Sequence, residues 1–97
     1  MKDSISIGRL DEENKMKRIL RFTASWCGPC QVLSKNLENA NVKLPIEVID
    51  IDVLPDIASE FFIRSVPTLV MMDENIEVKR ITGVVSSKEL ATWAETN

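Results

Sequence analysis

Trp26-Cys27-Gly28-Pro29-Cys30, entered from Lys17-Arg18-Ile19-Leu20-Arg21-Phe22-Thr23-Ala24, decides the reading of this chain. The upstream octet crowds Ile19, Leu20, Phe22, Thr23 and Ala24 into one short segment. Most of these are β-formers, the pattern of a strand covered on both faces. The pentad opens a helix, because proline is favoured in a first turn, where its missing N–H loses no bond. Cys30, Leu33, Leu37 and Ala40 then recur at steps of three and four, so one face of that helix turns inward.

Two cysteines at a helix start suit thiol–disulfide exchange, which needs an attacking thiolate and a second thiol near enough to resolve the mixed disulfide. The first sits beside unpaired backbone N–H groups and the positive end of the helix dipole, both of which favour its thiolate. The second lies one turn inside. The spacing therefore predicts Cys27 as the exposed nucleophile with a lowered pKa and Cys30 as the shielded resolving thiol. An inert buried pair and half of a zinc site are the plainer readings. The chain has no histidine and no further cysteine, so zinc would need carboxylates or another chain.

Outward from the pentad, the elements alternate. Pro45 closes a connection, and Ile46 to Asp52 forms a second strand. Pro55 begins a short helix that sinks Ile57, Ala58, Phe61 and Phe62. Thr68 to Met72 is a third strand, with Met71 and Met72 as filling. It turns at Asp73-Glu74-Asn75 into Glu77 to Thr82, where Lys79 and Arg80 suggest a charged edge that resists pairing with other chains. Ser86 and Glu89 have capping-box spacing. Leu90, Trp93 and Ala94 give the inner stripe of a last helix. Upstream, Ile5 and Ile7 alternate with serines as a short edge strand, Leu10 to Met16 has room for a helical turn or two, and the charges from Asp11 to Arg18 suit a solvated face. Alternation of strands and helices implies parallel pairing with right-handed crossovers, and the hairpin adds an antiparallel strand.

At 97 residues the chain reads as one domain, 1–97. The 44% hydrophobic and 28% charged fractions leave room for a single core. A net charge of −3 argues against a nucleic-acid surface, which needs clustered Lys and Arg. No stretch approaches a membrane span, and the N-terminus lacks the apolar run of a signal peptide. A cytoplasmic setting is the expectation. Structural disulfides are rare there, which leaves the two cysteines as catalytic, metal-binding or inert.

The pentad resembles the active-site motif of the thioredoxin family. Val66-Pro67-Thr68 resembles the family's Ile/Val-Pro-Thr, in which the proline is cis and faces the cysteines. Gly83 falls where the family keeps a glycine beside the substrate groove, and Phe22 and Ala24 match the strand before the motif. The resemblance runs from about Lys17 to the C-terminus. It implies a thioredoxin fold, an α/β three-layer arrangement with a central mixed β-sheet flanked by helices on both faces. It also implies protein-disulfide reductase activity through Cys27 and Cys30, supported by Trp26, Gly28, Pro29 and the residue at Arg21. A groove of Trp26, Val66, Pro67, Thr68 and Gly83 would receive protein substrates. No cofactor is bound in the family, and NADPH acts only through a partner flavoprotein reductase. A monomer is expected. With no N–H at Pro67, the Val66 backbone is free to pair with an extended substrate, while Trp26 and Pro67 would make a flat apolar contact area. The plainer readings are packing for Trp26, a trans turn for Pro67 and a backbone angle for Gly83.

Four positions depart from the family. Arg21 stands in place of a buried Asp, Val48 in place of the Lys that pairs with it, Lys35 in place of a mid-helix proline, and Ser65 in place of a glycine that leaves the groove wide. The helix should therefore run straighter. Arg21 stays protonated and cannot act as a base. Beneath the cysteines it would stabilise a thiolate and make the protein more oxidising; snorkelling to water, it would do little. Lacking the Asp predicts slow resolution, and Arg21→Asp is expected to raise reductase turnover. Two rivals keep the same residues: an oxidase or isomerase, and a thioredoxin-fold binding subunit with incidental redox activity.

Overall fold

A computed structural model describes residues 17–95. The expectations for Ile5, Ile7 and Leu10 to Met16 lie outside the described residues. Among the described residues seven elements follow in order: β1 (Lys17–Thr23), α1 (Gly28–Ala40), β2 (Ile46–Asp50), α2 (Pro55–Glu60), β3 (Thr68–Asp73), β4 (Ile76–Thr82) and α3 (Ser87–Glu95). Their boundaries have local causes. β1 stops where the Cys27 N–H turns back to the Ala24 carbonyl at 3.2 Å. β2 stops at Asp50, two residues short of the expected end, because the Asp50 carboxylate accepts the Asp52 N–H at 2.8 Å. That side-chain turn competes with the strand ladder. α1 runs unbroken for 13 residues and ends in the left-handed conformation at Asn41, a residue type that tolerates it.

The sheet order is β2-β1-β3-β4. β1 and β2 are parallel, with Phe22 opposite Ile49. β3 is antiparallel to both β1 and β4. The expected parallel crossover into the third strand is thus replaced by a reversal. A six-residue α2 spans only about 9 Å, too little to carry the chain back along a strand. β3 therefore starts at the end of the sheet where β1 and β2 finish.

Alternating β1 side chains divide the core between two faces. Ile19 joins Leu33, Leu37, Leu69, Met71, Val85 and Leu90 beneath α1 and α3. Leu20 and Phe22 join Ile49, Ala58, Val70 and Met72 beneath α2. β3 is buried on both sides, as the central position of its apolar run requires. Trp93 and Phe61 flank these clusters, half-buried.

Phe62 departs from the expected core. It is 78% exposed, because the chain at the end of α2 passes through a left-handed residue there, at φ 54°. The Phe62 N–H reaches the Ser59 carbonyl and the Ile63 N–H the Ala58 carbonyl, each at 3.0 Å. This turn sends Ile63 inward and Phe62 outward. The left-handed conformation costs a residue bearing a Cβ about 1–2 kcal/mol relative to the right-handed one.

Candidate active site

The end of β1 and the first turn of α1 bring Cys27 and Cys30 together. They form a disulfide with Cα atoms 5.3 Å apart. Cys27 is the N-cap of α1, and its sulfur accepts the Cys30 N–H at 3.1 Å. One of the helix's unpaired donors is thus spent on sulfur. Gly28 and Pro29 occupy the first two helical positions, and Pro29 leaves no N–H orphaned there. A Cβ added at Gly28 would meet nothing within 4 Å.

The pair is more enclosed than the sequence reading expected. Cys30 is 1% exposed and Cys27 only 4%, so the oxidised site does not present Cys27 freely. Ala24, Ile51 and Val66 pack around them. These neighbours are apolar. The Val66 carbonyl lies 3.8 Å from the Cys27 sulfur. In the disulfide that is a packing contact, and in the reduced thiol it becomes an acceptor for S–H.

The Val66–Pro67 peptide is cis. Pro67 itself is fully buried, so it offers no contact area, contrary to the expected role of its ring. Thr68 is likewise buried. Its hydroxyl donates to the Ser65 carbonyl at 2.8 Å and lies 3.4 Å from that of Thr82, bracing the loop from inside. Gly83 is held beside Pro67. Its N–H donates to the Pro67 carbonyl at 2.9 Å. Its φ of 94° favours glycine, and the space where a Cβ would stand is empty.

Trp26 is 66% exposed, so its role is not packing. Its indole N–H donates to the Asp52 carboxylate at 2.8 Å. Sequence reading missed Asp52. The pairing spans the turn after β2, which no local pattern announces.

Arg21 takes the solvent-facing course. It shares a shallow cleft with Ser34, Leu37, Glu38, Asn41, Val42, Ile46 and Val48, away from the cysteines. It makes no ion pair or hydrogen bond among the described residues. Partial burial shifts its pKa downward. The larger surface cleft lies at the opposite end of the sheet, around Lys17, Lys43, Leu44 and Pro45. Neither cleft is lined by the cysteines. Among the described residues no cluster of metal-ligating side chains occurs, and no helix is long and apolar enough to cross a membrane.

Comparison with known proteins agrees with this geometry. The thioredoxin family model matches residues 9–96. Thioredoxin C-3 of Corynebacterium nephridii is 36% identical over 80 residues, 79% of this chain and 55% of that protein. The thioredoxin of Chlamydia muridarum is 37% identical over 75 residues, 74% of each chain. A mutant thioredoxin from Halobacterium salinarum superposes with a TM-score of 0.75 at 29% identity, covering 91% of this chain and 81% of the other. The thioredoxin NaTrxh of Nicotiana alata does so with a TM-score of 0.72 at 27% identity, covering 93% and 84%. The chain spans little more than half the length of several curated relatives it matches.

Proposed function

The chain belongs to the thioredoxin family, and from that we propose that it is a dithiol–disulfide oxidoreductase that reduces protein disulfides. One observation carries the reading: a disulfide at the mouth of α1 whose outer sulfur already accepts a helix N–H. The same N–H stabilises an anion on Cys27 once the pair is reduced. The Cys27 thiolate attacks one sulfur of a substrate disulfide. The substrate's first sulfur leaves as a thiolate and takes a proton from water. Cys30, after losing its proton, attacks the Cys27 sulfur, and the substrate's second thiol departs. Two electrons pass to the substrate, and Cys27–Cys30 is oxidised.

Cys30 packs among apolar side chains, and water reaching the opened site takes its proton. The open place at Gly83 and the exposed Trp26 suit a protein segment lying across the surface. Such small contact areas are typical of transient redox encounters. A flavoprotein reductase drawing on NADPH would restore the dithiol, and the setting would be the reducing cytoplasm, with the protein acting as a monomer. Insulin reduction tests the reading, with dithiothreitol and in parallel with a thioredoxin reductase and NADPH. Turbidity should appear faster than with dithiothreitol alone and should also appear with the reductase and NADPH, and Cys27→Ser should give neither effect. No acceleration over dithiothreitol alone would refute the proposal.

A further inference from the structure

Phe62 is the most exposed large hydrophobic side chain among the described residues, at 78%. It also holds a left-handed backbone, at φ 54°. Among the described residues the other two non-glycine residues with positive φ are Asn41, which ends α1, and Glu74, in the β3–β4 turn, and both are polar. For an aromatic residue the conformation is a marked outlier. The turn asks only for backbone, since its two hydrogen bonds come from the Phe62 and Ile63 N–H groups. Glycine would make them with less strain. Phe61 stacks on Phe22, with ring centroids 5.6 Å apart. Phe61, Ile63 and Val66 all pack on the core beneath α2, and Phe62 does not. The ring therefore contributes nothing to the folded chain that the turn needs.

Its position supplies a use. Phe62 precedes Val66 by four residues, a reach of at most about 14 Å. The Val66 carbonyl touches the Cys27 sulfur. Trp26, also exposed, directly precedes Cys27 in the chain. We infer that Phe62 is a specificity-determining contact that favours protein disulfides flanked by a large apolar side chain. The inference rests on the exchange activity proposed above and adds the substrate class. The occupant is an extended protein segment, because touching both Cys27 and a ring four residues before Val66 needs a length of chain rather than a single small disulfide. Docking removes the ring from water, and aromatic rings are among the side chains that dominate such contacts.

Three disulfides test this on the reduced full chain: a peptide with phenylalanine near its disulfide, the same peptide with serine there, and hydroxyethyl disulfide. Phe62→Asn keeps a residue that tolerates the left-handed turn, and Phe62→Gly relieves it. Both variants should lose roughly five- to tenfold in kcat/KM on the phenylalanine peptide. Both should stay within about twofold on the other two substrates. Phe62→Gly should also melt higher than the parent. Equal loss on all three substrates would make Phe62 merely structural, and no loss on the phenylalanine peptide would likewise overturn the inference. A parent chain that reduces none of the three would instead refute the exchange activity, and the inference with it.

Discussion

The Trp26 indole N–H is tied to the Asp52 carboxylate at 2.8 Å, joining the residue before Cys27 to the turn that leaves β2. Asp52 is in turn set by its own N–H on the Asp50 side chain, also at 2.8 Å. An exposed aromatic held at one end is a preorganised contact, losing less freedom on docking than a free side chain. Asp52→Ala should lower kcat/KM for insulin about three- to tenfold, and Asp52→Asn, which keeps an acceptor, by less. Stability should change by no more than about 1 kcal/mol, since the pair is exposed. Stopped-flow turnover and tryptophan emission measure both effects; unchanged turnover in Asp52→Ala would refute the positioning role.

Arg21 is a partly desolvated cation with no counter-ion among the described residues. Met of similar length keeps the packing of the stem and removes the charge. Arg21→Met should raise the unfolding free energy measured in urea by at most about 1 kcal/mol, because water still reaches the head group. Insulin turnover should not fall, since Arg21 faces Ser34 and Glu38 rather than sulfur. A loss of turnover would show that the charge is felt at the cysteines.

The Glu77–Arg80 pair links β4 to the end of α2. The guanidinium donates to the Glu77 carboxylate at 2.6 and 2.8 Å and to the Phe61 carbonyl at 2.9 Å. The hydrogen bond from Arg80 holds the Glu77 carboxyl below the usual carboxylate range, outweighing slight burial. A depressed carboxyl stabilises the fold above its unfolded pKa, and that contribution disappears as pH falls through the folded value. Acid unfolding should therefore begin at higher pH when the pair is absent. Glu77→Gln should lose about 0.5 kcal/mol at pH 7 and show a flatter stability profile below pH 5. Denaturation midpoints across that range, at low and high salt, measure it. A variant with the parent's acid slope would remove Glu77 from the account.

Ser86 caps α3. Its hydroxyl oxygen accepts the Glu89 N–H at 3.2 Å, and the Glu89 carboxylate takes the hydroxyl proton instead of the Ser86 backbone N–H of a full capping box. Ser86→Ala should cost about 1 kcal/mol, a fall of roughly 4–8 °C in melting temperature for a chain this size. Leu90 of the same helix anchors the α1–α3 face. Calorimetry decides, and an unchanged melting temperature would show the cap to be idle.

The site's chemistry was legible because it is local. Cys27, the proline turn and the inward stripe of Cys30, Leu33 and Leu37 lie within eleven residues, where spacing alone fixes geometry. β3 was legible for the opposite reason, an apolar run that only a central strand can bury. The failures are all non-local or conformational. Phe61 and Phe62 look alike in composition, and only the hydrogen bonds of the turn separate the packed ring from the exposed one. Pro67 and Thr68 border the site in sequence, which suggests surface, yet both are buried. The reversal into β3 follows from the shortness of α2, which the sequence shows but periodicity does not weigh.

The most direct test is the order in which the reduced cysteines react. With less than one equivalent of iodoacetamide at neutral pH and peptide mapping by mass spectrometry, the helix-capping geometry predicts alkylation of Cys27 ahead of Cys30. Cys30→Ser should leave that rate nearly intact and should trap a mixed disulfide with a protein substrate. Alkylation of Cys30 first, or equal labelling of the two, would contradict the account.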